Sequence, residues 1–329
     1  MICILYSDVF YGELFVQKHL ILAVLLGLFI TTTQTASSEE IGVILPGKVL
    51  GMWQGMSRGI KRATEDLHVN MLLRSPADGA SLETQDNIQL TLIDYMLKRG
   101  VSGIILAPEP LEGVKTPISL TVPLVLVDRS SMNFNALSIV STDNFAAGRA
   151  AALSLAPVLH KGAKIAVLRL AANISSTTER EKGFLSMAHE RGWEVVIDTY
   201  VGYRFRESQE LTNKALSTYT GHIDAVFAPA EPVAYGAVRV IEAMPLNMRP
   251  RLVALDWRPE FLDALQHGVL YSAILQDPYH MGYQAAKTLI EASRGIRPIQ
   301  QKQFIDVVTV TSANVNSPEA QMAIANYGE

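Results

Sequence analysis

Polar and aromatic side chains stand directly behind short apolar runs at five places in this chain. VPLVLV (122–127) leads into Asp128 and Arg129, AVFAP (225–229) into Ala230 and Glu231, RLVAL (251–255) into Asp256 and Trp257, and YSAIL (271–275) into Gln276 and Asp277. After the first run, IGVIL (41–45), a short loop leads to Met52 and Trp53. A carboxylate accepts paired hydrogen bonds from vicinal hydroxyls, and a guanidinium fork donates them. An indole ring covers the apolar C–H face of a sugar. Together these groups have the chemistry to hold a small polyhydroxylated molecule. Singly they have ordinary roles: an Asp at a strand end caps a helix or makes a turn, a Trp fills a core, and Arg180 is a solvated helix residue. Their joint placement is what points to a binding site.

Reactive chemistry finds little support. There is no GxGxxG, no GxxxxGK[ST], no HExxH and no paired-His metal spacing. The seven histidines are scattered, and Ser175–Ser176 with His189 lacks the spacing of a triad. The single cysteine, Cys3, lies in the leader described below, so the mature chain has no disulfide, Cys-based metal site or Cys nucleophile. Asn173-Ile174-Ser175 fits a glycosylation sequon and is read as a chance match. No cofactor and no metal are expected. The net charge of −4 gives no reason to expect nucleic acid or an acidic membrane surface as partner.

The elements that position these residues follow from the hydropathy pattern. Apolar runs of strand length recur at 41–45, 69–75, 102–108, 122–128, 137–143, 163–169, 193–201, 223–230, 251–256 and 271–277. Their continuity predicts strands covered on both faces. Between them lie amphipathic segments. In the first, Met52, Met56, Ile60 and Ala63 recur at spacings of three to four; others run over 84–99, 144–159, 178–191, 206–218, 233–244 and 279–293. Arg99-Gly100 reads as a helix C-terminus. Repeated strand–helix units predict an α/β fold with parallel sheets, and ligands of such sheets bind beyond the carboxyl ends of the strands. Ten strands in 329 residues suit two lobes of about 130 residues each.

The N-terminus carries a compartment signal. Lys18 and His19 precede the apolar run LILAVLLGLFI (20–30), and small polar residues follow to Ser38. That order is a secretory signal, and the run is short for a permanent span. Residues 1–38 are therefore read as a signal peptide, with a more ordinary start near Val16. No Cys follows the run to take a lipid. The expected location is the periplasm.

The residues that carry a family resemblance are MWQGMSRGIKRA (52–63), VPLVLVDR (122–129), STDNFAAGRAAA (141–152), TEREKGF (178–184), DAVFAPAEPVAYGAVRV (224–240), VALDWRPEFLDAL (253–265) and ILQDPYHMGYQAA (274–286). In these, from about 41 to 312, the chain resembles the type I periplasmic substrate-binding proteins, closest to the ribose-binding branch. The resemblance implies two doubly wound parallel-sheet lobes joined by a three-crossing hinge. The N-terminal lobe would hold 41–142 and 277–305, the C-terminal lobe 143–276 and 306–312, with 313–329 a C-terminal tail. It implies Trp53 as the stacking aromatic, Asp128 and Arg129 as the pair gripping hydroxyls, Arg180 as a second arginine, and Asp256 and Gln276 near the cleft floor. Tyr203 or Phe205 would supply a second aromatic. Met52 stands where the family has another aromatic. Leu50 and Ala230 replace asparagines that bond hydroxyls, which argues against ribose itself.

What the resemblance implies functionally is a non-enzymatic, monomeric protein that captures a monosaccharide or sugar-like molecule by cleft closure, for the membrane permease of an ATP-driven importer. The alternative is a sensory subunit presenting a signal to a membrane histidine kinase or chemoreceptor. The fold also serves sugar-responsive repressors, but those carry a helix-turn-helix where this chain has its leader. Mass spectrometry of the periplasmic protein is expected to place the mature N-terminus between Thr35 and Glu40; intact residues 20–30 would instead mark a retained anchor.

Overall fold

In a computed structural model of the chain, the described residues are 39–47, 51–76, 82–111 and 114–328. The expected signal peptide and Leu50 lie outside them. In chain order the elements are β1 (Glu40–Ile44), α1 (Gly51–Asp66), β2 (Asn70–Arg74), α2 (Leu82–Arg99), β3 (Ile104–Leu106), β4 (Leu124–Val127) and β5 (Ser138–Thr142). There follow α3 (Asn144–Leu155), β6 (Lys164–Arg169), α4 (Ser175–Arg191), β7 (Glu194–Tyr200), α5 (Phe205–Thr218), β8 (Ala225–Ala228), α6 (Glu231–Glu242) and β9 (Arg251–Leu255). The chain ends with α7 (Glu260–Gln266), β10 (Leu270–Leu275), α8 (Pro278–Ser293), β11 (Lys302–Ile305), β12 (Val308–Thr311) and α9 (Pro318–Ala325).

The strands form two six-stranded sheets. One has the order β11-β5-β4-β3-β1-β2 and the other β12-β10-β9-β8-β6-β7. Every pairing is parallel except β10 with β12. The chain passes from one sheet to the other after β5, after β10 and between β11 and β12. At the first two passages an Asp caps the next helix. Asp143 accepts from the Ala146 N–H and Asp277 from the His280 N–H, each at 2.9 Å, satisfying donors that a helix start leaves open.

The central strands β3, β4 and β8 are apolar throughout and buried, and β9 is so after its exposed first residue, Arg251, as their continuous runs require. WEVVIDTYV departs from that expectation: β7 is an edge strand, and four of its seven residues are exposed. A strand with one neighbour at the end of a twisted sheet cannot be covered on both faces, whatever its composition. Gly100 takes the left-handed conformation (φ 74°) just after α2, as a C-terminal glycine should. Four elements carry no strand or helix reading in the hydropathy pattern: α7, which is only seven residues long, β11, β12 and α9.

Each lobe pairs two helices at backbone contact. α1 lies against α8, and α3 against α4. A Cβ built on Gly59 would lie 1.9 Å from the Tyr279 carbonyl oxygen, and one on Gly148 would lie 1.9 Å from the Arg180 carbonyl oxygen. Only glycine permits either approach. The second contact seats the helix that carries Arg180. Gly148→Ala is therefore expected to force α3 and α4 apart and destabilise the protein by about 1–3 kcal/mol, the usual range for overpacking, with weakened ligand binding; urea denaturation of the variant checks this.

Candidate functional site

Asp128 and Asp256 occupy equivalent positions in the two lobes. Each is the first residue past a central strand, each has a left-handed backbone (φ 62° and 71°), and each backbone N–H is held by the neighbouring strand. Asp128 N donates to Val140 O at 3.0 Å and Asp256 N to Ile274 O at 3.1 Å. A non-glycine residue held there costs about 1–3 kcal/mol, and such residues cluster at functional sites. Both side chains are buried.

From the first lobe come Trp53, Asp128, Arg129 and Glu109. Arg129 donates from Nε to Asp128 Oδ2 at 3.1 Å and from Nη1 to Glu109 Oε1 at 2.6 Å. Its guanidinium lies 5.5 Å from the centre of the Trp53 ring, within cation–π range. Glu109 is held at its own backbone by Gln89, whose Oε1 accepts from Glu109 N at 2.8 Å.

From the second lobe comes Arg180, 2% exposed. Its Nε donates to Asn144 Oδ1 at 2.8 Å and its Nη1 to Pro229 O at 2.9 Å. Fixed in this way, the guanidinium stands between the two aspartates, 3.8 Å from Asp128 Oδ1 and 3.7 Å from Asp256 Oδ2. Both distances exceed a hydrogen bond, so a hydroxyl can accept from the guanidinium and donate to a carboxylate. Gln276 completes this side: its Nε2 donates to Asp256 Oδ1 at 2.6 Å, and its Oε1 accepts from Thr142 Oγ1 at 2.8 Å. Met52 Sδ lies 3.8 Å from Gln276 Nε2. The lobes also touch directly, since Ser175 Oγ donates to Ser130 O at 2.9 Å.

Glu231, the first residue of α6, adds a buried carboxyl beside Asp256. Its N–H donates to Asp256 Oδ2 at 3.2 Å, while its Oε2 has no hydrogen-bond partner among the described residues. Burial, reinforced by the Asp256 charge, pushes its pKa up to about 8 against the opposing pull of Arg258. Arg258 stands 3.7 Å from Glu231 Oε1, is forked to Glu260 at 2.8 and 2.7 Å, and lies 3.8 Å from the Tyr235 ring centre and 5.0 Å from that of Phe205. Burial likewise raises the pKa of Asp128, though Arg129 and Arg180 oppose it. For Arg129, burial works against the charge, but Glu109 and Asp128 outweigh it and hold the pKa above the ordinary value.

The structure thus gathers Trp53, Asp128, Arg129, Arg180, Asp256 and Gln276 into one contact network, with Met52 at its margin. Phe205 packs edge-on to Tyr235 at 5.5 Å and joins the site through Arg258, whereas Tyr203 packs against the core beneath the Arg204 guanidinium. Ala230 is the residue before α6 and offers no polar side chain. Sequence reasoning missed Glu109, although it follows SGIILAP at the same sheet edge as the others. It missed Asn144, which reads only as a helix start. It also missed Tyr327, whose hydroxyl accepts from Gln276 N at 2.8 Å and for which the sequence carries no signal. Among the described residues, no group of three His, Cys, Asp or Glu side chains is placed to hold a metal ion, and no helix is long and apolar enough to cross a membrane.

A family model described as a periplasmic binding protein domain matches residues 41–296. The ribose import binding protein of Haemophilus influenzae is 22% identical over 293 residues, covering 88% of this chain and 97% of that protein. A carbohydrate transporter solute-binding protein from Agrobacterium radiobacter, solved in complex with D-arabinose, matches with a TM-score of 0.77 and 23% identity over 88% of this chain and 99% of its own. The periplasmic component of an ABC-type sugar transport system from Hahella chejuensis matches with a TM-score of 0.72 and 26% identity over 83% and 99%. The α/β fold expected from the sequence is the fold of these structures.

Glu231 makes stability depend on pH. Its folded pKa of about 8 lies above the ordinary 4.5, so the folded chain keeps a proton that the unfolded chain releases. The stability gained is complete below pH 4.5 and is lost as pH rises through 8. Glu231→Gln is neutral throughout and is expected to flatten that decline. Urea midpoints of both proteins at pH 5, 6.5 and 8.5 check this; parallel profiles would refute it.

Proposed function

We propose, because this chain belongs to the periplasmic binding protein family, that it captures a monosaccharide or closely related polyol between its lobes and delivers it to the permease of an ATP-driven importer. The observation that carries this reading is Arg180 poised between carboxylates of both lobes, at distances a bridging hydroxyl can span. Hydroxyls of one small ligand would accept from Arg180 and Arg129 and donate to Asp128 and Asp256, while Trp53 covers a C–H face. Ala230 contributes no hydrogen bond, which favours a sugar other than ribose.

No bond is made or broken in this mechanism. The two lobes reach the ligand together only when closed, so binding shifts the population toward the closed form, about the three passages near Thr142–Asp143, Gln276–Asp277 and Asp306–Val307. The closed surface then docks on the membrane partner. The transport names borne by the relatives favour import over sensing.

A thermal-shift screen of pentoses, hexoses and polyols is expected to find one that stabilises the protein. Asp128→Asn or Arg180→Lys should then weaken that ligand by about 1.5–3 kcal/mol, the range for hydrogen bonds to charged groups. Calorimetry giving wild-type affinity in both folded variants would remove them from the site. Small-angle scattering should show a smaller radius of gyration with the sugar than without it, and superimposable curves at saturation would refute capture by closure.

A further inference from the structure

The last residues of the chain fold back over α1 and end beside the site. α9 begins at a Ser317 cap, whose Oγ accepts from Ala320 N at 3.2 Å, and Gln321 Nε2 donates to Val315 O at 2.7 Å. Asn314 Nδ2 donates to Thr309 O at 2.8 Å and Val315 N to Thr311 O at 2.9 Å, which fastens the segment to β12 of the second lobe. Its far end lies on the first lobe. Arg58 Nη2 of α1 donates to Ala325 O at 2.6 Å, and a Cβ on Gly55 would lie 1.9 Å from Asn326 O. Gly51, at the start of α1, packs against Tyr327.

Tyr327 is 1% exposed. Its hydroxyl accepts from the backbone N–H of Gln276 at 2.8 Å and donates to Asp256 Oδ1 at 3.4 Å. The same Asp256 oxygen accepts from Gln276 Nε2. Tyr327 therefore ties backbone and side chain of two site residues together while its own chain is pinned to the other lobe. Burial and the Asp256 charge raise its pKa well above the ordinary phenol value, so the hydroxyl keeps its proton to donate.

We propose that residues 313–328 are a strap joining first-lobe α1 to the floor of the site, with Tyr327 as a positioning residue that orients Asp256 and Gln276 and couples their geometry to closure. This rests on the reading of the cleft as a sugar site. Opening the lobes moves α1 away from Asp256, so either the Arg58 and Gly55 contacts or the Tyr327 hydroxyl bonds must yield. The strap thus favours the closed arrangement before any ligand arrives.

Two measurements on the full chain test it. The first uses D-ribose, D-arabinose and D-allose as probes. For whichever binds wild type, Tyr327→Phe is expected to raise Kd about tenfold, the scale of one polar contact to a charged group, with little change in thermal midpoint. In an Asp256→Asn background the same change should cost much less, because Tyr327 acts through Asp256. Wild-type affinity in Tyr327→Phe, or equal loss in both backgrounds, overturns the positioning role. The second needs no sugar. With Cys3 replaced by Ser, cysteines placed at exposed Met132 and Lys182 take spin labels, one on each lobe. Tyr327→Phe and exposed Arg58→Ala are expected to shift the ligand-free distance distribution to longer values. Distributions identical to wild type overturn the strap. If none of the three binds wild type, the probe is the sugar or polyol that the thermal-shift screen finds; if that screen finds none, the sugar reading fails on its own while the label distances still decide the strap.

Discussion

One buried cation organises this molecule. The Arg180 guanidinium is out of water, and a charge taken from water is costly unless it is paired and hydrogen-bonded. Asn144 and the Pro229 carbonyl satisfy part of it from within its own lobe. Its charge is balanced by two carboxylates, one from each sheet. In the arrangement seen here this charge faces a carboxylate from each sheet. Any separation of the two sheets would take Asp128 away from it and leave water to replace what the carboxylate supplies. Its position depends on the helix contact behind it, where Gly148 lets α3 touch the Arg180 backbone.

The two lobes solve the same problem in the same way. Each presents an Asp in a left-handed turn at the end of a central strand, and each packs two helices at glycine contacts on one face of its sheet. Each also starts a helix with an Asp cap where the chain passes between sheets. The repetition gives carboxylates that face one arginine from two sides. The lobes differ at their margins. The first supplies Arg129, Glu109 and Trp53, an aromatic surface with a forked donor. The second supplies Glu231 with Arg258, a carboxyl whose pKa is raised beside a cation stacked on rings.

Glu231 shows how local and tertiary rules can pull against each other. At the first position of a helix a carboxylate suits the positive end of the dipole, and the Gly51 N–H also lowers its pKa. Burial next to Asp256 outweighs both, and the group is held as a neutral acid near pH 7. A neutral carboxyl donates a hydrogen bond where a carboxylate only accepts.

Much of the fold was legible because parallel strands buried on both faces must be apolar along their whole length. That is why ten runs mark ten of the twelve strands, and why the polar residues just after them mark the sheet edge where Asp128, Asp256 and Gln276 stand. The residue types there also carried the proposed chemistry, since carboxylates, guanidinium forks and an indole suit hydroxyls and C–H faces. Tertiary structure alone decided the rest. β7 is half exposed because it lies at an edge, a fact about neighbours rather than composition. Glu109 and Asn144 matter because distant segments bring Arg129 and Arg180 to them. Tyr327 reaches Gln276 across 51 residues of sequence and Asp256 across 71. No local periodicity encodes such a contact, since it exists only once both sheets are built and the chain end has folded back over α1.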